Sequence, residues 1–422
     1  MNVFKKCAFA IFLSFLSLFP IGRLEALAPR SSTSSDPRLG LPNNESIVFA
    51  GGSIGDFEIL RETIRTALRK SSDFLIEHPH LLINYREVEP LGYAELRQRI
   101  ARLLGISSPA SEVLITTSSR TPYYIILNRL IKPSSTVFVQ QPTYPDFLDA
   151  LEIARKAKSL NIVAFTKMEE ILPQLSEGFW VYLNSNFHNP TGQSLSEMQK
   201  AALAAKVEET GSFVIEDNPS DLIFFGETPP KRVFDFAPNS TLYINSFSKI
   251  LAPNLRIGFV IGAQQAIRSI SDEKRILQGG TSISDQLTAY FALETPEYLN
   301  ELREKVLKKR DLAIRLLGKY FQESEGVQWN TPDGGIYINL QFPKSVDMNI
   351  LLGIAKETYH LELEKDSKYY LDKQTRNTTR INFALNPLPI LEEGIRRLSF
   401  AFQEAKTRSA GGTSLRLMDT SV

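Results

Sequence analysis

The stretch SFSKILAPNLRIGF, Ser246–Phe259, places Lys249 just past the apolar run TLYIN, between hydroxyl residues and a second apolar run. A lysine is costly to bury, and an amine held out of water is a nucleophile toward carbonyl carbon. Arg256, Ser246 and Ser248 in the same stretch bring the charge and donors that an oxyanion such as phosphate requires. Upstream, Asp217 closes SFVIEDN, Asn189 lies in NFHNPTG and Tyr144 in QPTYP. Singly, Asp217 and Asn189 are ordinary turn formers and Arg256 an ordinary surface cation. Together they read, in chain order, as an aromatic, an amide, a carboxylate, an amine and a guanidinium. One ligand needs all five: pyridoxal 5′-phosphate. Its aldehyde would take Lys249 as a Schiff base, and its ring nitrogen would stay protonated beside Asp217. Its phosphate would sit among Arg256, Ser246, Ser248 and a helix N-terminus. Tyr144 would cover the ring, and Asn189 would donate to the phenolic oxygen.

These residues must be carried by elements that end at one place. Apolar runs at Glu112–Ser119, Thr136–Pro142, Gly178–Asn186, Ser212–Asn218, Thr241–Phe247 and Arg256–Gly262 read as strands. Between them, PYYIILNRLI, YPDFLDALEIARKA and LSEMQKAALAAKVEET have helical periodicity. The alternation predicts an α/β domain with a mostly parallel sheet covered on both faces, and such sheets bind ligands beyond the carboxyl ends of their strands. From about Leu299 a long helix, GGIYINLQF, another helix, TRINFAL and a last helix predict a smaller α+β domain. The expected divisions are a leader at 1–28, an arm at 29–60, a large cofactor-binding domain at 61–298, a small domain at 299–405 and a disordered tail at 406–422.

A chain of 422 residues with 43% hydrophobic and 23% charged residues is of ordinary globular composition, long enough for two or three domains. Its 48 basic residues against 47 acidic ones argue against a broad nucleic-acid footprint. The one cysteine, Cys7, excludes disulfides within the folded body and cysteine-based metal sites, and the four histidines have no metal-ligand spacing. Two lysines, the apolar run CAFAIFLSFLSLF and the small residues of LEALA have the grammar of a secretory signal peptide. This predicts export or membrane association, with a cytoplasmic protein as the alternative.

In these blocks the chain resembles the fold type I pyridoxal-phosphate aminotransferases of class I/II, in the aminoadipate and kynurenine aminotransferase branch. The resemblance runs from about Ser46 to Ala401. SFSKILAPNLRIGFVIG and HNPTG carry it most specifically, with EDNPSDLIF, YREVEPLGYAELRQRIA and VFAGG in register. It implies Lys249 as the Schiff-base lysine and proton carrier, Asp217 as the partner of the ring nitrogen, and Asn189 as donor to the phenolic oxygen. It implies Tyr144 as the stacking residue, Arg256 and Ser246 as phosphate ligands, and Gly52 and Asn189 within the substrate site. Arg380, in TTRINFAL, resembles the arginine that holds a substrate α-carboxylate. Tyr85 resembles the tyrosine that a homodimer lends across its interface, so two subunits are expected to complete each site.

Two departures stand out. Where the family has a T-G-S-Q-Q-A loop, this chain reads TTSSRTP, leaving the amides of Ser119 and Arg120 to cup a phosphate. Where relatives place a tyrosine, Ser220 stands, with Asp221 beside it. The expected activity is transfer of an α-amino group between an amino acid and a 2-oxo acid. A β-lyase or a decarboxylase on the same cofactor remains open, as does a degenerate cofactor-binding relative. Some relatives are the sensing half of transcription regulators with an N-terminal winged helix, where this chain has the leader and polar arm.

Overall fold

In a computed structural model the described residues are 45–418, except 56 and 107–110, with the backbone alone for Tyr85 and residues 411–418. The expected leader and most of the arm lie outside them. Residues from Ser46 onward form one compact unit.

The strands are β1 (Ile47–Val48), β2 (Ser111–Thr116), β3 (Thr136–Gln140), β4 (Asn161–Phe165), β5 (Trp180–Leu183) and β6 (Phe213–Asp217). They continue with β7 (Thr241–Ser246), β8 (Gly258–Ala263), β9 (Gln328–Trp329), β10 (Tyr337–Gln341), β11 (Leu361–Glu362) and β12 (Thr378–Asn382). Seven of them form the central sheet in the order β2-β8-β7-β6-β5-β3-β4. Strands β4, β3, β5, β6 and β7 are parallel, and β8 runs antiparallel between β7 and β2. Each of the six expected strands forms, somewhat shorter than its apolar run. The edge strand β4 had no comparable signal, because NIVAF is only half-buried.

The reason for this sheet is visible in β7: all of TLYINS is buried, as a parallel strand covered on both faces requires. Helices supply the cover. Pro145–Lys158 presents Phe147, Leu148 and Leu151 to one face, and Glu197–Thr210 presents Leu203, Ala204 and Val207 to the other. The second helix starts in a capping box. The Ser196 hydroxyl accepts from the Gln199 amide at 3.2 Å, and the Gln199 side chain accepts from the Ser196 amide at 3.1 Å.

Beyond the helix Tyr298–Tyr320, strands β12-β10-β9 form a separate antiparallel sheet. Strand β1 pairs with β11, tying the N-terminal segment to the C-terminal part of the chain. The helix Glu58–Glu77 begins just before residue 61, where the large domain was expected to start. The last helix runs Leu388–Met418, past the expected boundary at residue 405. Leu391, Ile395, Leu398, Ala401, Phe402 and Ala405 are its fully buried face.

Candidate active site

Strands β2, β3, β5, β6 and β7 finish at one end of the central sheet, and the antiparallel β8 begins there. A cavity of about 390 Å³ opens at this end. Ser119, Arg120, Tyr144, Asn189, Asp217, Ser246, Ser248, Lys249, Arg256, Gly52 and Arg380 all line it. Of the residues expected at the site, Tyr85 is the exception: it sits in the single helical turn Tyr85–Glu87, and its side chain is not among those described.

The floor of the cavity is Asp217, the last residue of β6 and fully buried. Tyr123 and Tyr182 both donate to its Oδ2, the latter at 2.9 Å, while Oδ1 has no partner among the described residues. Burial pushes the Asp217 carboxyl up to about 6; the two tyrosines and the nearby Lys249 charge limit the rise. The hydroxyls are placed by packing. Tyr182 stacks on Phe147 with centroids 3.3 Å apart, and Tyr123 stands edge-on to both rings. Pairs of this kind stabilise by about 0.5–1.5 kcal/mol each beyond area burial. Neither tyrosine was read as a site residue, because PYYIIL and WVYLN look like plain core. Their only signal is a hydroxyl inside an otherwise apolar stripe.

Lys249 ends the one-turn helix Phe247–Lys249, which Ser246 starts. Its amine donates to the Gly52 carbonyl. A Cβ on Gly52 would lie 2.8 Å from Lys249 Nζ and 2.8 Å from Tyr337 Oη, so a side chain there would push the ends of both aside. Arg256 ends the turn Pro253–Leu255 with φ +53°, a left-handed conformation that costs a non-glycine residue about 1–2 kcal/mol. Beside it, Gly258 opens β8. A Cβ there would come within 2.7 Å of the Ser118 carbonyl carbon and 2.9 Å of the Ser119 nitrogen, so the TTSSR turn rests directly on β8.

The roof is more crowded with charge. Arg380, 5% exposed on β12, donates through Nη1 to Asn189 Oδ1. Through Nη2 it donates to Gly51 O at 3.0 Å and Glu364 Oε1 at 3.1 Å. Its faces meet the rings of Tyr337 and Tyr369. Glu364 is buried and also accepts from the Gly51 amide at 2.6 Å, the Tyr369 hydroxyl at 2.7 Å and Lys368 Nζ. Burial works to raise the Glu364 carboxyl, but Arg380, Lys368 and these donors outweigh it and hold it down to about 2. Sequence reading missed Glu364, Lys368 and Tyr369, which lie among the charges of LELEKDSKYY. Arg120 is likewise occupied: it pairs with Asp146, which also accepts from the Tyr144 hydroxyl at 2.6 Å.

Ser220 lines the cavity, but Asp221 turns away from it. The Asp221 carboxylate accepts from Tyr243 and Asn218, within a buried polar layer that includes Glu216 and Ser185. Asp221 therefore does not line the cavity beside Ser220. Among the described residues no three His, Cys, Asp or Glu side chains converge as a metal site.

The residues present fit a pyridoxal-type cofactor. An amine, a buried carboxylate with one unmet oxygen, serine hydroxyls beside a guanidinium and an aromatic side chain line one cavity. The comparisons agree. Residues 64–398 match the family described as aminotransferase class I and II, and the chain belongs to it. It is a pyridoxal-phosphate-dependent aminotransferase of fold type I. The 2-aminoadipate transaminase of Thermus thermophilus is 25% identical over 90% of this chain and 95% of its own. The uncharacterized HTH-type transcriptional regulator YdfD of Bacillus subtilis is 29% identical over 76% of this chain and 68% of its own. The solved multiple substrate aminotransferase of Thermococcus profundus shares the fold, with TM-score 0.76 and 24% identity over 86% of this chain and 93% of its own.

Proposed function

We propose that this cavity holds pyridoxal phosphate and moves an α-amino group between an amino acid and a 2-oxo acid, with the residue roles that follow. Lys249 takes the aldehyde, and Asp217 faces the ring nitrogen. The Ser119 amide, the Ser246 and Ser248 hydroxyls and Arg256 would surround the phosphate, with the Arg120 amide, which donates to Ser118 Oγ at 3.2 Å, beside them. Tyr144 lies on the ring, and the amide of Asn189, oriented by Arg380 through its oxygen, points its nitrogen at the phenolic oxygen. Arg380 stands where a substrate carboxylate would be held, with Gly52 leaving room for the substrate. When bound, the cofactor supplies a carbonyl to receive the amino group and a ring that draws off the electron pair left on the substrate carbon. Lys249 Nζ would take the proton from that carbon and carry it past the nitrogen, completing a 1,3-shift. The buried Asp217 carboxylate keeps the ring nitrogen protonated. The observation that carries this reading is Asp217 Oδ1, a fully buried carboxylate oxygen without a partner on the cavity floor.

The expected homodimer, with Tyr85 reaching a partner's phosphate, is supported by exposed apolar residues beside it: Leu82 at 58% and Ile83 at 80%. Export or membrane association, with a cytoplasmic protein as the alternative, is the reading of the leader at 1–28. Among the described residues no helix is long and apolar enough to cross a membrane.

The test is spectroscopic. Protein loaded with pyridoxal phosphate should show a visible band that Lys249→Ala abolishes, with turnover falling on the order of 10³-fold or more. An amino acid donor should bleach the band and a 2-oxo acid restore it. Restoration without the oxo acid would replace this reading with a lyase, and a colourless protein would end it.

A further inference from the structure

The turn TTSSR withdraws one donor from the phosphate place and sets another beside it. A backbone N–H has a single hydrogen, and that of Arg120 is given to Ser118 Oγ at 3.2 Å. Ser118 is buried, so its hydroxyl belongs to the packed turn. A glycine at that position would leave the amide open; the serine closes it. The Arg120 side chain, one residue along the chain from the Ser119 amide, lines the cavity.

The guanidinium is lightly held. It pairs with Asp146, but its side chain is 63% exposed and that of Asp146 is 29% exposed. Solvent screens a pair of this kind, so little is lost when it opens. Asp146 also accepts from the Tyr144 hydroxyl at 2.6 Å, and it keeps that donor when Arg120 leaves. A phosphate monoester carries about 1.5 to 2 negative charges at neutral pH, more than one guanidinium cancels. Arg256 is one such group at the phosphate place, beside the Ser246 and Ser248 hydroxyls, and Arg120 is within the same cavity. Two parallel charge-assisted hydrogen bonds to a phosphate are stronger than a screened contact with one carboxylate.

We propose that the Arg120 guanidinium is a ligand of the cofactor's phosphate in place of its own amide, and that Asp146 is the carboxylate it leaves to become one. This rests on the cofactor reading above and adds a binding residue to it. Ser118 and Arg120 act as a pair: the serine removes a neutral backbone donor, and the arginine returns a charged one. Asp146 acts through Arg120 as a positioning residue.

Pyridoxal phosphate and pyridoxal differ only by the phosphate, and they make the test. Each is titrated into the full chain, and its dissociation constant is read from the visible band. Arg120→Gln should weaken pyridoxal phosphate by about tenfold or more, the range for one charged hydrogen bond. Pyridoxal should stay within about twofold, the scatter between independent sites. In a Ser118→Gly background, which frees the amide, the same substitution should cost less. Equal losses for the two aldehydes would make Arg120 a structural residue and overturn the proposal. An unchanged affinity for pyridoxal phosphate overturns it too, as does an equal cost in the Ser118→Gly background. If Arg120→Gln does not fold, Asp146→Asn decides: it releases Arg120 and should tighten pyridoxal phosphate but not pyridoxal, and no tightening overturns the proposal. A wild-type chain that takes colour from neither aldehyde ends the cofactor reading and this proposal with it, whereas a coloured protein indifferent to Arg120 ends this proposal alone.

Discussion

The floor and the roof of the cavity are both buried and both polar, yet they are in opposite states. On the floor, two tyrosine hydroxyls bind one oxygen of Asp217 and leave the other unmet. In the roof, Glu364 is bonded by donors from four residues, and both terminal nitrogens of Arg380 donate to the chain's own oxygens. A ligand that meets the floor gains a charged hydrogen bond and displaces nothing. A ligand that meets the roof finds one open donor, Arg380 Nε, and beyond it must break a bond already made. The difference separates a site built to receive a resident cofactor from one that is selective about what passes over it.

The comparison predicts where substitution hurts most. Asp217→Asn removes the charge that the floor exists to present, and cofactor affinity, read by titrating the visible band, should fall about 100-fold, near the upper range for a charged hydrogen bond. Retention within threefold of wild type would remove the floor's special standing.

A second expectation concerns pH. The Asp217 carboxyl ordinarily titrates near 3.8 and is raised here to about 6. An acid raised on folding holds its proton longer in the folded state, so this group's contribution to the stability of the cofactor-free protein declines as pH climbs from 3.8 to 6. The ionised form that pairs with a protonated ring is present only above about 6. Cofactor affinity should therefore weaken by about tenfold for each unit below 6, a step that Asp217→Asn lacks. Parallel titrations of the two proteins at pH 5 and 7.5 check it, and identical pH profiles would contradict it.

The smallest effect belongs to the roof's outer partner. Lys368 pairs with Glu364, but its side chain is 46% exposed, so solvent screens the pair. Lys368→Ala should change the thermal stability by less than about 1 kcal/mol, because three other donors keep Glu364 in place. A large loss would mean that the roof depends on its rim.

Much of the floor was legible in the chain itself. Buried parallel strands demand near-continuous apolar runs, so Asp217 and Lys249 show up as charges that close such runs. A turn such as NFHNPTG announces itself through Asn, Pro and Gly. The tyrosines of the floor were not legible, since Tyr123 and Tyr182 are apolar at their rings and polar only at one atom. In the roof, Glu364 and Lys368 are two charges in a segment full of them, and no local pattern distinguishes the buried one.

By itself the sequence determined the fold class, the order of the strand ends, and the lysine, carboxylate, amide and guanidinium that a pyridoxal-type ligand would need. These follow from periodicity and from residue types that are costly wherever a chain buries them. The tertiary structure alone decided which hydroxyls hold Asp217, that Asp221 turns away, and that Glu364 meets Arg380 across a gap of 16 residues. Those contacts join side chains from separate strands and loops, and their energies depend on distance and burial, which no local run of residues encodes.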